Sequence, residues 1–194
     1  LIKERELKIE TLAGIRIVRP CVEDGRVVEV QVDMGKPGLR PEDIPVLVEK
    51  DKFDIILDYP INVEGEELLL TCLSMGNPHA VCFLGEPVSD FPLGQFGSRI
   101  ENHPVFPNRT NFEIANVIGR GQIEARVWER GVGETLSCGS GASAIAVAAR
   151  LHDYIDNKVD ITLLGGKLRV EWDGVGEVWL TGPAERVFRG EWGE

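Results

Sequence analysis

Apolar and polar residues alternate along most of this chain, a period that puts one set of side chains on each face of a β-strand. The pattern runs through LKIETLAGIRIVRP (residues 7–20) and GRVVEVQVDMG (25–35), divided by the turn signal Glu23-Asp24-Gly25. It resumes in DIILDYPINV (54–63) and EELLLTCLSMG (66–76) around Glu64-Gly65. HAVCFL (79–84), NFEIANVI (111–118) and QIEARVWER (122–130) follow, with Gly119 to Gly121 as a hairpin turn. The tail adds VDITLLG (159–165), KLRVEWDG (167–174), GEVWLTGPA (176–184) and RVFRGEW (186–192). Two segments break the alternation. A short helix is predicted near Leu93–Glu101, and a second begins near Gly139 and ends around His152, where Asp153 and Asn157 interrupt it. Its ASAIAVAARL stretch is apolar almost all round, which demands burial on most of its surface. The expected fold is therefore α+β, an antiparallel, barrel-like sheet wrapped around a central helix. GKPGLRPEDIPV (35–46) is the one candidate domain junction.

A net charge of −11 with a pI near 4.8 argues against nucleic acid or anionic membrane as a partner, since both need clustered Lys and Arg. No apolar run approaches the ~18 residues of a membrane span. LIKERELKIE, at the start, carries charges where a signal peptide has its apolar centre. Cys21, Cys72, Cys82 and Cys138 form no C-x-x-C pair and no zinc-type spacing with His79, His103 or His152. Reduced thiols in the cytoplasm and no metal are the expectation. Cys72 and Cys82 lie in strand-like sequence and read as core.

Cys138 differs. It immediately precedes the inferred helix start, where first-turn N–H groups lack intrahelical acceptors and the helix dipole is positive. Both effects favour thiolate, so a depressed pKa is expected. Gly139, Ser140 and Gly141 leave room for a carboxylate to reach those N–H groups. A plainer reading stays open, in which the glycines make a tight turn and Cys138 packs beneath it. A thiolate beside a bound carboxylate can attack a carbonyl or remove a proton from the adjacent carbon. Asn77 and His79 follow a strand in MGNPHAV, Asn111 opens one in NRTNF, and Glu129 and Arg130 close one in WERG. Taken singly, each also suits a turn or a solvated edge.

Taken together, GNPHAV, RTNFE and ERGVGETLSCGSGASA, in this order and spacing, resemble the diaminopimelate epimerase family. IETLAGI near the start and LTGPAERVF near the end extend the resemblance over nearly the whole chain. It implies a cofactor-independent isomerase that converts LL-diaminopimelate to meso-diaminopimelate in lysine synthesis. It implies two related lobes, each a sheet around a helix, with the small-molecule substrate between them and one proton-transferring cysteine from each helix start. Cys138 matches one of that catalytic pair, with Glu129 and His79 beside the reacting sulfurs. Asn77, Asn111, Glu129, Arg130, Gly139 and Ser140 match substrate-binding positions, Ser140 standing where Thr is usual. The other cysteine belongs to a C-G-N-G-x-R segment expected before Leu1. Residues 1–36 then read as a remnant of the N-terminal lobe, 37–183 as the C-terminal lobe, and 184–194 as a strand returning to the first lobe. A homodimer is implied for the intact enzyme. The 194-residue chain alone is expected to be inactive and, with open strands near 1–35, to self-associate. A proline or hydroxyproline racemase is the alternative that Arg130 and ERGVGET disfavour. A non-catalytic fragment keeping half the cleft is the other.

Overall fold

The computed structural model describes residues 5–12, 14–49 and 52–193. Its elements in chain order are β1 (Leu7–Thr11), β2 (Gly14–Glu23), β3 (Arg26–Gly35), β4 (Ile56–Val63), β5 (Glu66–Ser74), β6 (Pro78–Leu84), α1 (Leu93–Glu101), β7 (Asn111–Gly119), β8 (Gln122–Glu129), β9 (Gly133–Thr135), α2 (Gly139–Leu151), β10 (Lys158–Leu163), β11 (Gly166–Glu171) and β12 (Val178–Pro183). The strands join in the order β1-β2-β3-β12-β11-β10-β8-β7-β6-β5-β4, with β9 attached to β8. Among the described residues no helix is long and apolar enough to cross a membrane.

The α+β class holds, but the sheet is mixed. β6 runs parallel to β7, and β8 runs parallel to β10. Each parallel pair is spanned by a helix-bearing crossover, α1 in one and α2 in the other, because parallel neighbours cannot be joined by a tight turn. The remaining pairs are antiparallel. Several are closed by the hairpin turns expected from sequence. At Asp24-Gly25 both φ angles are positive, 47° and 74°, as a two-residue turn matching strand twist requires.

The central strands are buried on both faces. Val81, Ala115, Ile123, Ala125 and Val127 face α2, while Ala80, Cys82, Phe112 and Ile114 join the cluster around α1. Period-two alternation thus sorts neighbouring residues into two cores. Every residue of α2 from Gly141 to Ala149 is buried, and the helix packs on β5, β6, β7, β10, β11 and β12. α1 presents Leu93, Phe96, Gly97 and Ile100 to the other core, a one-sided stripe.

Three local expectations change. The stretch 7–20 is a hairpin rather than one strand, with Gly14 at φ 99° and Thr11 Oγ1 donating to Gly14 O across 2.7 Å. The candidate domain junction at residues 35–46 is packed against the sheet: Gly38 and Ser74 exchange backbone hydrogen bonds of 2.8 Å, and Ile44 and Val46 are buried. Residues 184–193 form no strand; they are largely exposed, and Ala184 N–H donates to Val28 O over 3.1 Å. Residues 1–4 and 13 of the expected N-terminal remnant, and Glu194, lie outside the described residues. β2 and β3 extend the main sheet through the β3–β12 pairing, and Val18 is the one buried apolar residue of β1 to β3 among those described. Prolines fall where the ladder tolerates them: Pro60 is on edge strand β4, and Pro20 lies beyond the reach of β1.

Candidate active site

The chain reaches α2 through the turn after β8, strand β9 and Ser137. Cys138 is the N-cap residue, extended at φ −137° and ψ 116°, and is 8% exposed. Its Sγ lies 3.5 Å from Ser140 Oγ, with the Gly141 N–H close by. Ala142 N–H already bonds Cys138 O, whereas the N–H groups of Gly139 and Ser140 have no acceptor among the described residues. Ser143 Oγ turns back to Gly139 O at 2.9 Å, a local use of its hydroxyl.

The expected low pKa of Cys138 is not found. Burial pushes the thiol up, and the negative charge of Glu129 pushes it further. The Ser140 hydroxyl and the nearby Gly141 N–H oppose this and are outweighed. The helix start favours the anion, but loss of water from the buried sulfur disfavours it more.

His79, on β6, is fully buried and held from both sides. Its Nδ1 is 2.7 Å from Glu113 Oε1, and its Nε2 is 3.0 Å from Asn77 Oδ1. Asn111 sits beside His79 in the parallel β6–β7 register. Asn111 Nδ2 donates to Pro78 O at 3.0 Å, and its Oδ1 accepts the Arg130 N–H at 2.9 Å. Glu129 ends β8 and accepts a 2.6 Å hydrogen bond from Thr135 Oγ1. Arg130 opens the turn, with Nη1 on Asn108 O at 2.9 Å. That turn is anchored by Glu101, whose Oε1 accepts the Gly131 N–H at 2.8 Å and whose Oε2 accepts Trp128 Nε1 at 2.8 Å.

Glu129 and Cys138 therefore share one neighbourhood, as do Asn77, His79, Asn111 and Arg130. Glu113 joins the two, contacting His79 and lying against the α2 start: a Cβ on Gly141 would stand 3.1 Å from its Oε1. Sequence reasoning missed Glu113, Glu101 and Thr135. Only Glu113 left a trace, as a charged residue at an inward position of RTNFEIANV, an otherwise buried strand.

Residues 71–187 match the family described as Diaminopimelate epimerase. The chain belongs to the diaminopimelate epimerase family. It is 47% identical over 186 residues to the diaminopimelate epimerase of Acetivibrio thermocellus, covering 95% of this chain and 65% of that protein. With the Moorella thermoacetica diaminopimelate epimerase it shares 47% identity over 192 residues, 98% of this chain and 67% of the relative. The chain thus spans about two thirds of the length of the family members it matches. Among solved structures, a hydroxyproline epimerase from Agrobacterium vitis, with bound trans-4-hydroxy-L-proline, superposes with a TM-score of 0.69 at 17% identity, covering 94% of this chain and 58% of that one. A probable proline racemase from Agrobacterium radiobacter gives 0.67 at 18% identity, over 94% and 59%. These two likenesses establish shared architecture.

Proposed function

We propose that the intact protein carrying this chain epimerises LL-diaminopimelate to meso-diaminopimelate by direct proton transfer at an α-carbon, without a cofactor. Membership of the diaminopimelate epimerase family supports the reaction class. The observation that carries the residue assignment is Cys138 at the N-cap of a buried helix, in contact with Ser140 Oγ, close to the Gly141 N–H and flanked by Glu129.

An α-carbon beside a carboxylate is a weak acid, so its proton is removed only by a well-placed group in a dry site. Cys138 begins as the thiol, in keeping with its burial. A base on the opposite face of the substrate takes the α-proton, and Cys138 delivers its own from the α2 side. One proton leaves the carbon and one arrives, so the configuration inverts and Cys138 is left as thiolate. The Ser140 hydroxyl and the nearby Gly141 N–H then hold that charge. In the reverse direction the thiolate is the base. The Gly139 and Ser140 N–H groups take the α-carboxylate and stabilise charge developing next to it. Glu129 and Arg130 grip the substrate's polar ends, Arg130 through guanidinium N–H groups not used on Asn108. Asn77 and Asn111 complete the binding set, and Glu129 and His79 stand beside the reacting sulfurs. We also read the enzyme as a cytoplasmic homodimer; four unpaired cysteines agree with a reducing compartment.

The test is exchange of the substrate α-proton with D2O by the intact protein, alongside Cys138→Ala. Deuterium incorporation with inversion in the wild type, and loss of inversion in the variant, are expected. Full epimerisation by Cys138→Ala would overturn the assignment.

A further inference from the structure

Glu113 is a fully buried carboxyl on the strand beside His79. It sits on β7 opposite Val127, is 0% exposed, and its Oε2 has no hydrogen-bond partner among the described residues. The α2 start makes room for it, since any side chain at position 141 would press on Oε1. An unpartnered buried carboxylate oxygen is costly, and such local violations concentrate where function compensates.

A proton inventory shows what Glu113 does to its neighbours. Asn77 Oδ1 can only accept, so the 3.0 Å contact requires a proton on His79 Nε2. One further proton lies between Nδ1 and Glu113 Oε1, 2.7 Å apart. Whether it sits on nitrogen or oxygen, the pair carries no net charge. A carboxylate facing neutral imidazole would instead place the ring's single proton on Nδ1 and leave Nε2 bare. Asn77 would then have to turn its Nδ2 inward. In the arrangement present, Asn77 Nδ2 has no partner among the described residues and is left to donate outward.

We propose that Glu113 is a positioning residue: by sharing one proton with His79 Nδ1 it keeps Nε2 protonated, locks Asn77 by its Oδ1, and leaves the Asn77 amide N–H groups facing the substrate as donors for a carboxylate. The proposal deepens the functional reading above and rests on Asn77 contacting substrate. The titratable groups facing Glu113 are His79 from β6, Cys72 from β5, Cys138 from the α2 start and Glu129 from β8, with the Ala80 N–H also close by. All but His79 are neutral or negative, so a shared proton also spares Cys138 and Glu129 a third negative charge.

Nitrogen-15 NMR of histidine-labelled wild-type protein without substrate reads the ring directly. A protonated Nε2 is expected; a bare Nε2 with the proton on Nδ1 overturns the proposal whatever reaction the protein catalyses. Kinetics with diaminopimelate form the second arm. Glu113→Gln can donate to Nδ1 and preserve the polarity of the chain, so its KM should stay near wild type. Glu113→Met removes the partner, and KM should rise about tenfold or more as the carboxylate loses an oriented donor. Equal KM values in both variants, with both folded by circular dichroism, would sink the idea while leaving a Cys138-dependent epimerase intact. If Glu113→Met does not fold, the NMR result decides.

Discussion

The backbone N–H of Arg130 donates to Asn111 Oδ1 across 2.9 Å, tying the turn after β8 to the first residue of β7. The same Asn111 side chain reaches Pro78 O at 3.0 Å, so one buried amide spans three segments of the site. Asn111→Ala leaves both partners without their hydrogen bond. A loss of about 1–3 kcal/mol is expected for such buried orphans. Urea denaturation measures it, and an unchanged midpoint would show that the turn is held by Glu101 alone.

Thiol reactivity should follow burial. Cys21 is exposed, Cys138 is buried at the helix start, and burial drives Cys72 to about 12 and Cys82 to about 11. Under alkylation by iodoacetamide, peptide mass spectrometry should find Cys21 labelled first and Cys138 more slowly. Cys72 and Cys82 should react only after unfolding. Labelling of Cys138 as fast as Cys21 would mean that the helix start outweighs burial after all.

Gly97 of α1 lies against the indole of Trp128, where an added Cβ would stand 2.5 Å from Cδ2. Ala in place of Gly gains up to about 1 kcal/mol of helix propensity. The clash should win, because the ring is tethered by Nε1 to Glu101 and cannot swing away. Gly97→Ala is expected to destabilise by about 1–3 kcal/mol. A rise in Tm would contradict the rigidity assigned to Trp128.

Glu113 makes stability depend on pH in a direction opposite to that of a paired surface carboxylate. Burial holds its carboxyl above the ordinary glutamate range, with His79 opposing. The folded state therefore keeps a proton that the unfolded chain releases near pH ~4.3. Stability from this group is complete below that value and is lost as pH rises through the folded value. Glu113→Gln cannot titrate, so the stability advantage of wild type over the variant should shrink with rising pH. A constant difference across that window would show that Glu113 does not titrate differently on folding.

Much of the site was legible because its residues stand in short, contiguous strings. MGNPHAV and ERGVGETLSCGSG hold Asn77, His79, Glu129, Arg130 and Cys138, and the helix after Cys138 begins at Gly139 as its glycine-rich start suggests. The β9 strand went unseen, since three residues between two turns give no periodic signal. The tail RVFRGEW has strand-like composition yet pairs with nothing among the described residues, because composition supplies no neighbour to pair with. The ionisation of Cys138 was misjudged for a related reason. Proximity to a helix start is local, whereas burial depends on everything packed around the sulfur.

By itself, the sequence determined most of the strands, the Asp-Gly and Glu-Gly hairpin turns and the two helices of this protein, because alternation, turn residues and one apolar helical run act between near neighbours. Only the tertiary structure decided which strands run parallel, that α1 and α2 cover opposite faces of one sheet, and that Glu113 sits between His79 and the start of α2. Those outcomes depend on residues dozens of positions apart meeting in a dry interior, where a charge's partners and its proton are set by packing that no local pattern encodes.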